Sequence, residues 1–261
     1  MKKALAGAAL LAAVSPAVAQ STGSPDPRLT RPGWEIGGQV SSYHYEEPDF
    51  AKITGDRAGV TGAYTYADRK HLFSRLEGRI SYGSLKYEGS GTMNNVPDWT
   101  AELRLVAGKD LLASDHVALS PYLGFGYRFL FDDSRGYSDT GAAGYRRYSN
   151  YLYVPLGLTL RIGAGRWTIA PNVEYDYFLH GTQISKLSDT GIPGTGDITN
   201  EQSQGYGYRG NLMFESQSWA FGPWLNYWKI KDSDVACAAS VCGLEPGNWT
   251  REWGVELRYR F

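Results

Sequence analysis

From Trp34 to Phe261 the chain alternates apolar and polar residues with a period of two, and almost nowhere with the 3.6 period of a helix. Successive side chains of a strand point to opposite sides, so this pattern means strands with one oily face and one polar face. Leu152 to Ile162 is the clearest stretch. Leu152, Val154, Leu156, Leu158, Leu160 and Ile162 share one face, while Tyr151, Tyr153, Pro155, Gly157, Thr159 and Arg161 share the other. Val117 to Phe131 repeats it, with Leu123, Phe125, Tyr127, Phe129 and Phe131 opposite Ser120, Gly124, Gly126 and Arg128. Ten strands are predicted, at 34–45, 57–67, 71–87, 98–108, 116–131, 145–162, 166–180, 204–217, 219–231 and 249–261.

The connections alternate in length. Those near 68–70, 109–115, 163–165 and 218 are short. Those at 46–56, 88–97, 132–144, 181–203 and 232–248 are longer and rich in Gly, Ser, Asp, Asn and Pro. A soluble sandwich has no reason for this regularity; a membrane barrel has, with tight turns on one side and large loops on the other. The segments LSPYLGFGY (119–127), IAPNVEYDY (169–177) and FGPWLNYWK (221–229) form a weak repeat, each placing a proline soon after a short turn. Proline lacks a ladder donor, so these residues are expected near the short-turn rim or at bulges.

The N-terminus reads as an address. Lys2 and Lys3 precede the apolar run Ala4 to Val14, and Ala17-Val18-Ala19 is an A-x-A cleavage site, the pattern of a secretory signal peptide over residues 1–19. Its removal takes two Lys from a chain of net charge −1, leaving −3. This near-neutral balance offers no electrostatic case for nucleic acid. Residues 20–33, with Ser, Pro, Gly and Asp, are expected to be a short, unstructured periplasmic tail. Past the signal, no apolar run reaches the roughly 18 residues of a spanning helix.

One face of the strands carries Leu72, Leu76, Ile80, Leu103, Leu105, Val173, Leu212, Phe214, Leu225, Val255 and Leu257. The other carries Arg75, Glu77, Arg79, Glu102, Arg104, Arg128, Arg161, Glu174, Asp176, Arg209, Glu215, Glu256 and Arg258. Aromatics gather toward strand ends: Trp34, Trp167, Trp219, Tyr259 and Phe261 at one side, and Tyr82, Trp99, Tyr127, Tyr175, Tyr177 and Tyr227 toward the other. Such belts suit rings that sit between oil and water. With export, they favour lipid outside and charge inside.

The last strand, WGVELRYRF, places Trp253, Val255, Leu257, Tyr259 and the terminal Phe261 on one face. It resembles the terminal strand of bacterial outer-membrane β-barrel proteins. The resemblance implies an outer-membrane location and recognition of these five residues by the barrel-assembly machinery. The expected fold is therefore all-β: a ten-stranded antiparallel, up-and-down transmembrane barrel over residues 34–261, with short periplasmic turns and longer extracellular loops.

Ten strands make a narrow barrel, little wider than the eight-stranded kind whose side chains fill the interior. Arg75, Glu77, Arg79, Glu102, Arg104, Arg128, Glu174, Arg209, Glu256 and Arg258 are read as an interior charge network, since Arg pairs bidentately with carboxylates. A wide porin is excluded, because open water-filled lumens need about 16 strands.

Other chemistry is sparse. Cys237 and Cys242, in CAASVC of the last loop, are expected to form a disulfide. No metal site or cofactor is expected, since no His lies nearby. Asp98, Asp176, His180 and His44 are candidates to converge at the outer rim as a hydrolytic site, and His180 with Ser185 as a lipid-modifying pair. Nothing here resembles the paired acids or the Asp-x-His of the omptins, a ten-stranded protease family. Tyr137, Tyr145, Tyr148, Arg135, Arg146 and Arg147 in the loops suit contact with a protein, a glycan or the phosphates of lipopolysaccharide. The leading expectation is a structural or surface-interaction barrel, not an enzyme, with its lumen plugged. A narrow channel for small polar solutes and a rim hydrolase are the alternatives.

Overall fold

The computed structural model describes residues 26–261, so the expected signal peptide lies outside the described residues. Fourteen strands occur: β1 (Gly33–Glu47), β2 (Ala51–Ala67), β3 (Leu72–Glu88), β4 (Thr92–Lys109), β5 (Leu111–Leu112), β6 (Val117–Tyr137), β7 (Ala143–Ala164), β8 (Trp167–Ser185), β9 (Ile198–Gln202), β10 (Gly205–Glu215), β11 (Trp219–Ile230), β12 (Val235–Ala238), β13 (Val241–Leu244) and β14 (Asn248–Arg260). Ten of them close into an antiparallel barrel in the order β1-β2-β3-β4-β6-β7-β8-β10-β11-β14. β1 and β14 complete the ring, pairing from Glu35 opposite Arg260 to Glu46 opposite Trp249. Closure leaves no strand edge, which hydrocarbon would not tolerate.

All ten expected strands are present, and the barrel is taller than expected. The segments read as loops at 46–56, 88–97 and 132–144 are largely strand, leaving turns of 48–50, 89–91 and 138–142. Above the bilayer both faces of a hairpin meet water, so the strands continue while the apolar alternation that reveals them stops. The longer connections hold β9, a 3₁₀ turn at Leu187–Thr190, and the hairpin β12–β13. Asn200 Nδ2 of β9 donates to Asp234 O at 3.0 Å and Gly243 O at 2.9 Å, tying the two loops together. Pro121, Pro171 and Pro223 are each the fifth residue of their strand, close to the short-turn end.

The outer wall is apolar. Val40, Val60, Ile80, Leu103, Phe125, Val173, Leu225 and Val255 are exposed on it. Aromatic pairs flank this band, Trp219–Tyr259 and Tyr259–Phe261 at one end and Trp99–Phe131 and Tyr206–Tyr227 at the other. In the terminal strand Trp253, Val255, Leu257, Tyr259 and Phe261 all lie on this outer face. The Phe261 amide donates to Trp34 O at 2.9 Å, so the C-terminal residue is fixed to the start of β1.

The segment expected as an unstructured lead-in behaves differently where it is described. Residues 26–32 cross the periplasmic mouth from β1 to the opposite side of the ring. Thr168 Oγ1 donates to Pro27 O at 2.6 Å, and Arg28 Nη1 to Ser114 O at 2.6 Å. The Thr30 amide and hydroxyl donate to the two oxygens of Asp110 at 2.7 and 2.8 Å.

Candidate functional site: the filled lumen

Charged residues occupy successive inward positions of several strands, Arg75, Glu77 and Arg79 in β3 and Glu256, Arg258 and Arg260 in β14, and their side chains meet across the lumen. Near the periplasmic end Glu35 of β1 receives Arg75 at 2.7 Å, Arg260 at 3.1 Å and Arg258 at 3.4 Å. Glu77 bridges Arg75 at 3.0 Å and Arg104 at 3.2 Å, and Arg258 pairs with Glu256 at 2.7 Å. Arg161 and Arg260 share Glu215, at 2.6 and 3.1 Å. Higher up, Arg209 holds Asp176 at 2.7 Å, Glu174 at 3.2 Å and Glu102, while Arg79 reaches Glu102 at 3.4 Å. Arg104 also pairs with Glu174, which accepts from the Tyr122 hydroxyl at 2.7 Å as well.

At mid-height the lumen is solid. Tyr43, Arg57, Ser81, Thr100, Arg128, Tyr153, Asp176, Trp228 and Glu252 come from nine different strands, and none is more than 2% exposed. The tenth strand, β10, contributes Gly207, where a Cβ would lie 3.0 Å from the Trp228 ring and from Asp176 Cβ, so a larger residue there would crowd that indole. Arg57 stacks on Tyr43 with 3.3 Å to the ring centroid and pairs with Asp98. Leu130, Tyr151, Phe178 and Ile230 pack beside Tyr153 and Trp228.

Toward the extracellular end Arg147 of β7 points inward to Glu47 and stands 3.6 Å from Glu245 of the last loop. Burial pushes the Glu245 carboxyl up to about 7 against the pull of Arg147, and the charge of Glu47 adds to the rise. The Tyr45 hydroxyl donates to Glu47 at 2.7 Å, and Asp132 lies 4.0 Å from Arg147.

All ten residues of the expected network face the lumen, and Arg75, Glu77, Arg79, Glu102, Arg104, Glu174, Arg209, Glu256 and Arg258 meet in ion pairs. Arg128 does not: its guanidinium lies 5.3 Å over Trp228, with no carboxylate within 4.0 Å among the described residues. Glu35, Arg57, Glu252 and Arg260 belong to the same interior, and extending the alternation of β1, β2 and β14 would have found them. Glu245 carried no such signal, because it comes from an irregular loop.

The rim candidates do not come together. Asp98 and Asp176 are buried inside. His44, on the outer face of β1, contacts Glu46 at 2.9 Å and stacks on Trp249. His180 is exposed, and Ser185 is buried on the opposite face of β8. Arg147, expected to make contacts from an exposed loop although the strand predicted at 145–162 contains it, is interior, on the face of β7 that it shares with Ser149, Tyr151 and Tyr153. Arg146 is outward and forked onto Asp189 at 2.7 Å. Tyr145 and Tyr148 lie in β7, Tyr137 is exposed at the tip of β6, and Arg135 pairs with Asp133. Cys237 and Cys242 are disulfide-bonded across the β12–β13 hairpin.

Comparison with solved structures decides the class. The outer-membrane protease OmpT from Escherichia coli superposes with a TM-score of 0.57 at 11% identity, over 88% of this chain and 97% of that one. The fold is that of the bacterial outer-membrane β-barrels. With its apolar outer band, that fold places the chain in the bacterial outer membrane. Further outer-membrane barrels align less well. The attachment invasion locus protein Ail of Yersinia pestis gives a TM-score of 0.33 at 10% identity, covering 88% of this chain and 100% of its own. The toluene transporter TbuX of Ralstonia pickettii gives 0.33 at 11%, covering 90% and 92%. No family model and no curated protein matches the sequence. An identity near one residue in ten carries the fold and no activity, since one barrel serves many chemistries.

Proposed function

We propose that this barrel does not conduct, and that it serves the envelope through its surfaces, in a structural or surface-interaction role rather than as an enzyme. The observation that supports this is the mid-height layer, in which side chains from nine strands and the β10 backbone leave almost no exposed surface. A solute would have to displace Trp228, Tyr153 and the Arg57–Asp98 pair together. The surroundings fit the role: outer-membrane lipid and lipopolysaccharide along the wall, the barrel-assembly machinery at β14, and a protein or glycan at the loops.

The test is single-channel recording of refolded protein in a planar bilayer. The expected result is silence with insertion confirmed independently. Reproducible unit steps would favour the narrow channel, and the cavity beneath the layer is the feature that reading would use. Opening the layer with Tyr153→Ala and Trp228→Ala together is expected to produce steps where the unaltered chain gives none.

A further inference from the structure

We infer that the periplasmic half of the lumen is a binding site for a small anion carrying carboxylate or phosphate groups. Such a site needs no open path through the barrel. A cavity of 210 Å³ lies between the mid-height layer and the segment 26–32. At roughly 30 Å³ per water it has room for about seven.

Its charge is one-sided. Eight arginines line it against five glutamates. Glu174 and Asp176 stand behind Arg104 and Arg209 and meet much of the excess. Arg31 has no side-chain carboxylate within 4.0 Å among the described residues, and residues 1–25 contain no Asp or Glu. Its Nη2 reaches an oxygen of the Phe261 terminal carboxyl at 3.4 Å, a long contact, while its buried Nη1 has no acceptor. Burial, and then the like charge of Arg260, hold its pKa below the usual value. An anion between the two relieves that repulsion.

The hydrogen bonding is one-sided in the same sense. Gln39 Nε2 and Trp224 Nε1, on side chains of residues 5% and 8% exposed, have no acceptor, nor do the Nε atoms of Arg79, Arg104 and Arg161. None of the five lining glutamates has an orphaned buried oxygen. Thr61 Oγ1, a further lining atom without a partner, is a hydroxyl that can donate as well. A pocket whose unmet groups can all donate suits a ligand that only accepts, which an ionised carboxylate or phosphate does. Arg31 and Thr30 form the floor, so the ligand touches the crossing segment and the wall together.

The test is calorimetric titration of the refolded mature chain, in an uncharged detergent at low salt, with inorganic pyrophosphate and separately with succinate. Saturable one-to-one binding of at least one is expected. Binding of pyrophosphate alone would assign the phosphate class, and of succinate alone the carboxylate class. Arg31→Gln should weaken binding at least tenfold, and Trp224→Phe, which keeps an aromatic ring and removes the N–H, several-fold. Arg146→Gln, on the outer wall, should leave it unchanged. Circular dichroism and the unfolding temperature establish that each variant is folded. Absence of saturable binding by both anions, or undiminished binding in folded Arg31→Gln, would overturn the inference.

Discussion

Arg209 and Glu102 meet across the barrel from strands that are not neighbours, Nη1 donating to Oε2 at 2.8 Å over 107 residues of sequence. The same guanidinium holds Glu174 and Asp176, so one cation fastens β10 to β4 and β8. Removing it would leave three buried carboxylates short of a partner. Arg209→Ala is expected to destabilise the barrel by about 3–5 kcal/mol, the usual cost of breaking a buried pair from one side. Denaturant unfolding in detergent measures this. Adding Glu102→Gln should return part of the loss, and a loss below about 1 kcal/mol, the scale of an exposed pair, would mean the network is idle.

The segment crossing the periplasmic mouth hangs chiefly on Asp110, which is 2% exposed and also accepts from Ser120 Oγ at 2.6 Å. Asp110→Ala strands the Thr30 amide, the Thr30 hydroxyl and the Ser120 hydroxyl. Orphaned buried groups cost about 1–3 kcal/mol each, so the segment should detach while the barrel stays closed. Limited proteolysis of refolded protein is expected to cut near residues 26–32 in the variant, much faster than in the unaltered chain.

The last extracellular loop should dock more firmly in acid. The Glu245 carboxyl is pushed up to about 7 in the docked loop, from 4.5 when free, so the docked state binds more protons. Docking is then strongest below the free value of 4.5, weakens as pH rises toward 7 and levels off above. The groups that face Glu245 are Glu47, Asp132, Arg147 and Tyr45. A spin label at Ser240 should gain mobility between pH 5 and pH 8. Glu245→Gln should flatten that change; an unaltered response would assign it to another group.

Phe261 fastens the last strand in two ways. Its amide donates to Trp34 O at 2.9 Å, and its ring stands edge-on to that of Tyr259, with 5.0 Å between centroids. Phe261→Ser removes the ring and keeps the backbone bond. Outer-membrane yield is expected to fall several-fold, while protein refolded in detergent keeps its β-sheet circular dichroism. Unchanged yield would remove the assembly role of the terminal strand.

The sequence by itself determined the wall. Alternation at period two specified the number of barrel strands, the face most wall residues take and the up-and-down order, because a strand's geometry is local and lipid selects one face through the bilayer. It placed Arg75, Glu102 and Arg209 inside for the same reason. Only the tertiary structure decided who meets whom. Glu35 reaches Arg258, 223 residues away, and Arg147 turns inward to hold Glu47. Alternation says in or out but carries no height, and height around a closed barrel is set by strand tilt and stagger together. The crossing of the mouth by residues 26–32 and the docking of Glu245 were equally illegible, since both are made by irregular chain, whose contacts no periodicity encodes.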